Sequence, residues 1–365
     1  MRVLVTGASG YVGRRLVPVL LDRGHEVVAA FSTPGSAERF PWRDRVTVAG
    51  MDVRDPGQVT AAVEGVEAVY YLIHAMAGPD FVTEDRQSAH HLAHAAIEHD
   101  VGRMVYLSGL VPRGPLDRLS PHLRSRHEVE QILAASGVPT TTLRAAVLLG
   151  SGSTSFEIVR QVSERLPLRT VPAWMRSEVQ PMAVTDALEV LAGCLDVEPV
   201  TRSYDIGGPE RLSYRELLDR YAALAGLARP EVTLPFAPTA LVGWLAGQLT
   251  DVPSSTVEAL VESLHHDMVC AEQDFRADLL PAAYELVGVD DAIRRALARS
   301  SGSGPHDPLG PVPGDPEWAG GEIHYEAGAP VRAPRSPAAS LLLGLPRIEG
   351  LPGTDRSPGS PEGGP

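Results

Sequence analysis

The chain has 365 residues, with 46 acidic side chains against 32 basic ones and a net charge of −14. That balance, without any basic stripe interleaved with aromatics, argues against nucleic acid as a partner. A 44% apolar content can fill the core of one large domain or two ordinary ones. Every basic residue is Arg, and neither Lys nor Asn occurs, which removes any mechanism resting on a catalytic Lys or Asn. The two cysteines, Cys194 and Cys270, lie far apart without ligand spacing, as small buried groups do in a reducing compartment.

The opening "MRVLVTGASG" enters a strand directly, with no charged segment followed by an apolar core as in a secretion signal, so the expected location is the cytoplasm. That first strand runs into "TGASGYVG", a GxxGxxG array formed by Gly7, Gly10 and Gly13 just before a helix predicted over Val12–Arg23. Glycines there let backbone N–H groups of Ser9, Gly10, Tyr11 and Val12 approach a pyrophosphate, and the helix N-terminus adds a favourable dipole. The array alone is weak, and its place at the first strand of a βαβ unit is what strengthens it.

The second strand, "EVVAAF", leads into Ser32 and Thr33, with no Asp or Glu between Glu26 and Glu38. An NAD site usually has a carboxylate at that place, so NADP is weakly favoured over NAD, with Arg14 or Arg15 as the cation for a 2′-phosphate. After the third strand, "RVTVAG", Asp52 and Val53 are placed to meet the adenine. The fourth, "AVYYLIHA", brings Leu72, Ile73 and His74 toward the cofactor. "HHLAHAAIEH" sets His90 and His94 one helical turn apart, but a third ligand is lacking and no metal site is expected. The fifth strand, "RMVYLSG", ends at Ser108, and a sixth is read in "TTTLRAAVLLG". Strands alternating with helical segments such as Val59–Val63 and Glu84–His99 predict an α/β fold, a Rossmann-type doubly wound parallel sheet.

The organisation expected is a dinucleotide-binding core over 1–150 and a smaller, mainly helical lobe over 151–300 that completes the same fold. "VTDALEVLAGCL" and "SYRELLDRYAALAGL" in that lobe are expected to start at Thr185 and Ser213 N-caps. The Pro-, Gly- and Ser-rich stretch 301–365 reads as a disordered tail. "TALVGWLAGQL", Thr239–Leu249, is too short to span a bilayer and leaves room for a peripheral membrane contact.

With these motifs in hand, the chain resembles the atypical short-chain dehydrogenase/reductases, a group that includes NmrA-like proteins and relatives of a complex I accessory subunit. The resemblance covers about residues 1–300 and rests on the glycine loop, Asp52, "YYLIHAM", "VYLSGL", "TTLRAAVLLG" and "VQPMAVTDALEVL". The segment "DPLGPVPGDPEWAGGEIHYE" is similar to the junction of a bacterial two-domain subgroup. That similarity implies that the helix-grip domain which follows in the subgroup has been lost here.

The family's chemistry implies a Tyr acid/base, a Lys four residues on and a Ser that orients the substrate carbonyl. Ser108 matches the Ser, whereas His122 and Arg126 stand at the Tyr and Lys spacing, one turn apart on a predicted helix. His122 suits proton transfer near neutrality, and Arg126 suits binding of the nicotinamide ribose but not proton exchange. Two readings stand: a reductase of a carbonyl or quinone without the Tyr–Lys pair, and a non-catalytic NADP(H)-binding redox sensor or assembly factor acting on an unidentified partner. A sugar-nucleotide epimerase or dehydratase is less favoured, because those enzymes also need the missing pair.

Overall fold

The computed structural model describes residues 1–73, 80–112, 119–166, 169–228, 231–234, 246–254, 256–257, 260, 266–299 and 306–333. The first half runs β1 (Arg2–Val5), α1 (Gly13–Asp22), β2 (Glu26–Phe31), β3 (Thr47–Gly50), α2 (Pro56–Val63), β4 (Ala68–Tyr71), α3 (Phe81–Glu98), β5 (Arg103–Gly109), α4 (Pro121–Ala134) and β6 (Thr140–Ala145). Then come β7 (Leu148–Leu149), α5 (Thr154–Arg165), β8 (Arg169–Pro172), β9 (Glu178–Val179), β10 (Met182–Ala183), α6 (Val184–Gly193), β11 (Arg202–Ile206), β12 (Leu212–Ser213), α7 (Tyr214–Leu224) and β13 (Glu231–Leu234). The chain closes with α8 (Phe275–Asp278), α9 (Val289–Ala296), β14 (Ile323–Glu326) and β15 (Ala329–Arg332).

The period of two in the apolar strands fixes a sheet buried on both faces. Val3 and Val5 of β1 join one apolar cluster and Leu4 joins the other; Val27, Ala29 and Phe31 of β2 oppose Val28 and Ala30 in the same way. Helices α1 and α6 cover the first face with Leu16, Leu20, Leu188 and Leu191, while α2, α3 and α4 cover the second with Val59, Leu92, Val129 and Leu133.

Seven strands pair in the order β11–β6–β5–β4–β1–β2–β3, and each neighbouring pair is parallel. The chain winds outward from β1 through β3, then returns to β4 on the other side of β1. This is the doubly wound α/β arrangement, and its topological switch lies at the carboxyl ends of β1 and β4, where such sheets bind ligands. β11 extends the sheet beyond β6, so the segment after residue 150 contributes a strand to the same layer.

Pro18 sits inside α1 and donates no N–H to the Arg14 carbonyl. The Trp42 indole takes up that carbonyl at 3.2 Å, stacked against Phe40, and so ties the chain after β2 to the first helix. The Ser213 cap is present as a capping box with Glu216. The Thr185 cap is not: the cap position of α6 is Ala183, two residues earlier, and the Thr185 hydroxyl is buried without a partner among the described residues.

The expected disorder from residue 301 onward is corrected for 306–333. Of these, 306–332 fold against the rest of a compact unit that spans Met1–Arg332. Leu309 is fully buried and Ile323 nearly so, and β14 and β15 form an antiparallel hairpin turned at Ala327 and Gly328, both at positive φ. Composition misleads here because buried polar side chains hold the strap by its backbone. Arg15 reaches the Pro308 and Gly310 carbonyls, Gln161 donates to Trp318 and Gly320, and Arg160 donates to Ile323. Residues 301–305 and 334–365 lie outside the described residues.

Candidate active site

The loop after β1 is shaped by its glycines. Gly7 has φ +65°, and a Cβ there would press on the Leu72 carbonyl at 3.1 Å and on Ile73 Cγ1 at 3.3 Å, so the turn lies flush with the end of β4. A Cβ on Gly13 would be driven into the Gly7 carbonyl, so α1 packs on the loop only with glycine at that position. The loop is closed by Gly10 N–H to Gly7 O at 2.8 Å and by Arg14 N–H to Gly10 O at 3.0 Å. Among the described residues the amides of Tyr11, Val12 and Gly13 take no backbone acceptor, and they sit at the positive end of α1. This cradle fits a dinucleotide pyrophosphate. Ser9 is half-buried on the same turn.

Gly10, Tyr11, Val12 and Gly13 line a cavity of about 220 Å³. Its other wall includes Leu72, Leu107, Ser108, His122 and Arg126, so the structure brings the glycine loop and the three predicted catalytic residues to one space. Ser108 ends β5, is 4% exposed, and its hydroxyl has no partner among the described residues. An unpaired buried hydroxyl costs about 1–3 kcal/mol, which a ligand oxygen would recover. Pro121 at the first turn and the Ser120 side chain, which accepts from Leu123 N–H, start α4 and present His122 and Arg126 on one face. Burial, reinforced by the nearby Arg126 guanidinium, pushes His122 down to about 4. His122 is therefore a neutral imidazole near pH 7. Arg126 donates to the Tyr106 hydroxyl at 3.4 Å and the Leu107 carbonyl at 3.3 Å, while its Nε has no acceptor among the described residues.

Tyr11 turns its ring beneath Arg15, whose guanidinium lies 4.3 Å from the ring centroid, and burial drives the phenol further from ionisation. Arg14 and Arg15 do not stand at the β2 turn. Arg14 donates to the Gly10 and Gly314 carbonyls and pairs with Asp315 at 3.3 Å; Arg15 is bidentate to the same carboxylate at 2.9 and 3.0 Å. The strap supplied a carboxylate that draws both side chains toward itself.

Ser32 and Thr33 are exposed at the carboxyl end of β2, followed by a 3-10 turn over Pro34–Arg39. Arg39 closes that turn, exposed and with no acidic partner among the described residues; sequence reasoning passed over it because it lies eight residues beyond the strand. Asp52 is held by both Arg54 nitrogens at 2.7 and 3.0 Å, and this hydrogen bonding brings its carboxyl down to about 2. The carbonyl of Val53, half-buried beside it, accepts from His91 Nδ1 at 2.9 Å. His90 and His94 point outward, and among the described residues no group of His, Cys, Asp or Glu is placed to hold a metal. His74 lies outside the described residues. The sequence also gave no hint of the amino end of α5, where Ser153, Thr154 and Ser155 reach the cavity from the far side of the sheet edge.

A family model described as NAD(P)H-binding matches residues 7–173. The 3-diazoavenalumate denitrifying reductase of a Streptomyces species is 30% identical over 285 residues, 68% of this chain and 90% of that protein. The 2-alkyl-3-oxoalkanoate reductase of Stenotrophomonas maltophilia is 27% identical over 347 residues, 82% of this chain and all of that protein. The chain spans 24% of the length of the uncharacterised mycobacterial proteins that it matches at 27% identity over 239 residues. Among solved structures, triphenylmethane reductase of Citrobacter sp. in complex with NADP(H) superposes with a TM-score of 0.63 at 16% identity, covering 81% of this chain and all of that one. No helix among the described residues is long and apolar enough to cross a membrane.

Proposed function

Since the chain belongs to the NAD(P)H-binding, atypical short-chain dehydrogenase/reductase family, we propose that it is an oxidoreductase that reduces a carbonyl group with NADP(H) and without a Tyr–Lys pair. The observation that carries this reading is the single cavity shared by the glycine loop and by Ser108, His122 and Arg126. Reductases among the relatives, one of them named for an oxo acid, support it. When bound, the reduced dinucleotide supplies the hydride, and the protein positions and polarises.

Ser108 donates its unpaired hydroxyl to the substrate oxygen. His122, neutral at pH 7, donates a hydrogen bond from a ring N–H to the same oxygen as charge develops there, and a water molecule supplies the proton that the resulting alkoxide takes up. Arg126 contributes one of its remaining N–H groups to the nicotinamide ribose. Leu72 and Leu107 keep bulk water from the reacting carbon. The experiment is a turnover assay with NADPH against a panel of ketones and quinones, with His122→Ala as control. Turnover that falls at least about tenfold in the variant supports the role given to His122. Tight binding without turnover of any substrate favours the non-catalytic sensor, a reading suggested by the missing Tyr and Lys.

The preference for NADP(H) rests on the β2 turn, where Ser32, Thr33 and Arg39 are exposed and the nearest acid, Glu38, pairs with Arg43 at 3.2 Å. Arg39→Glu is expected to weaken NADPH binding by roughly tenfold or more while leaving NADH binding within a factor of about two. Equal loss for both would remove Arg39 from the 2′-phosphate.

His122 also leaves a pH signature. Its folded value, about 4, lies below the value of an unfolded His, so between about 4 and 6.5 the unfolded chain binds more protons than the folded one. Stability from this group is complete above about 6.5 and is lost as pH falls toward 4, on the order of 3 kcal/mol in all. Melting curves of the wild type and His122→Gln are therefore expected to diverge below about pH 6.5, the variant holding its melting temperature better. Parallel curves would place the imidazole in water.

A further inference from the structure

We propose that the cavity takes a substrate that is itself an anion, a carbonyl compound with an apolar body and a carboxylate, the carboxylate held by Arg126 together with the amino end of α5. The inference rests on the reductase reading above and names the substrate class of the same site.

Three observations converge. Arg126 is 8% exposed, yet among the described residues no carboxylate pairs with it, and its Nε has no acceptor. A buried guanidinium stays charged, and a buried charge needs a partner. Other buried arginines of this chain have one: Arg15 has Asp315, and Arg160 has Glu157 and Glu164. Second, α5 opens on the cavity with Ser153, Thr154 and Ser155, and no side chain caps its first turn. The Ser153 hydroxyl is turned away to the Leu148 carbonyl at 2.7 Å, so the N–H groups of that turn remain for an acceptor carried by a ligand. Third, the Ser108 hydroxyl, 4% exposed and unpartnered among the described residues, faces the same space.

The pyrophosphate does not account for this charge, because the glycine loop and α1 already supply its own donors at the opposite wall. The rest of the lining, Leu72, Leu107, Leu148, Ala145 and Ala146, fits an alkyl or aryl body rather than a sugar. A bound carboxylate also offsets the repulsion that Arg126 exerts on a protonated His122, so an anionic substrate moves the His122 value back up toward that of a free imidazole.

The test uses octanoate and octanamide as probes, titrated calorimetrically into the full chain preloaded with NADP⁺. Octanoate is expected to bind at least about tenfold more tightly than octanamide, and Arg126→Gln is expected to erase that difference. Arg126→Lys, which keeps the charge, restores part of it and controls for folding. Equal affinity for the two probes, no octanoate binding at millimolar concentration, or an Arg126→Gln variant that keeps the preference would each overturn the proposal. An Arg126→Gln variant that loses NADP⁺ affinity but keeps the octanoate preference would overturn it and return Arg126 to the ribose alone. Failure of the wild type to bind NADP⁺ in the preloading step would instead fall on the reductase reading.

Discussion

Gly10→Asp is expected to abolish dinucleotide binding while leaving the chain folded. The nearest atom to a Cβ at Gly10 is the Gly7 carbonyl oxygen at 3.0 Å, and the residue is exposed at the mouth of the loop, so a small shift admits the side chain. The new carboxylate then lies at the positive end of α1 and takes the amides of Tyr11, Val12 and Gly13 as an internal anion. A pyrophosphate must displace it against repulsion, and NADPH affinity is expected to fall by about a hundredfold or more. Melting followed by circular dichroism is expected to change by only a few degrees, on the order of a surface substitution. Gly13→Ala is the contrast, since its Cβ meets backbone and the loop cannot keep its shape. Undiminished NADPH binding in Gly10→Asp would mean that the pyrophosphate sits elsewhere.

Asp315→Ala is expected to destabilise the chain strongly. It leaves Arg15, whose side chain is 1% exposed, and Arg14, at 7%, without their carboxylate. Removing one partner of a buried pair costs about 3–5 kcal/mol, more than the pair contributes when intact, because the remaining charge stays desolvated. At a few degrees per kcal/mol the melting temperature is expected to drop by on the order of 10 °C. The same variant frees the Arg14 side chain that bonds the Gly10 carbonyl, so NADPH affinity is expected to weaken severalfold as well. A melting temperature within about 2 °C of the wild type, well below the scale of a buried-pair loss, would show that the strap does not anchor α1.

The sheet was legible in the sequence because its signal is local: short β-branched runs alternate with helical spacing, and the glycine array fixes the first crossover. That Ser108, His122 and Arg126 line one cavity follows from spacing along one helix and from the end of one strand. What escaped depends on distant chain segments. Nothing near Arg14 and Arg15 indicates that Asp315, 300 residues on, will claim both guanidinium groups. The Pro- and Gly-rich stretch that carries Asp315 has few apolar anchors, so composition pointed to disorder, whereas its order comes from carbonyls held by Arg15, Arg160 and Gln161. The α5 N-terminus escaped for a similar reason: a Gly-Ser run reads as a loop until the sheet edge brings it to the cavity. Thr185 shows the limit of cap signals, because the β10 strand runs straight into α6 and leaves no turn for the hydroxyl to cap.

The central claim is that one cavity holds NADP(H) beside Ser108, His122 and Arg126. Calorimetric titration of the full chain with NADPH, NADP⁺, NADH and NAD⁺ tests it most directly. The account predicts saturable binding of both phosphorylated forms, with NADH and NAD⁺ weaker by roughly tenfold, and loss of all binding in Gly10→Asp. Absence of heat and of thermal stabilisation with all four dinucleotides would contradict it.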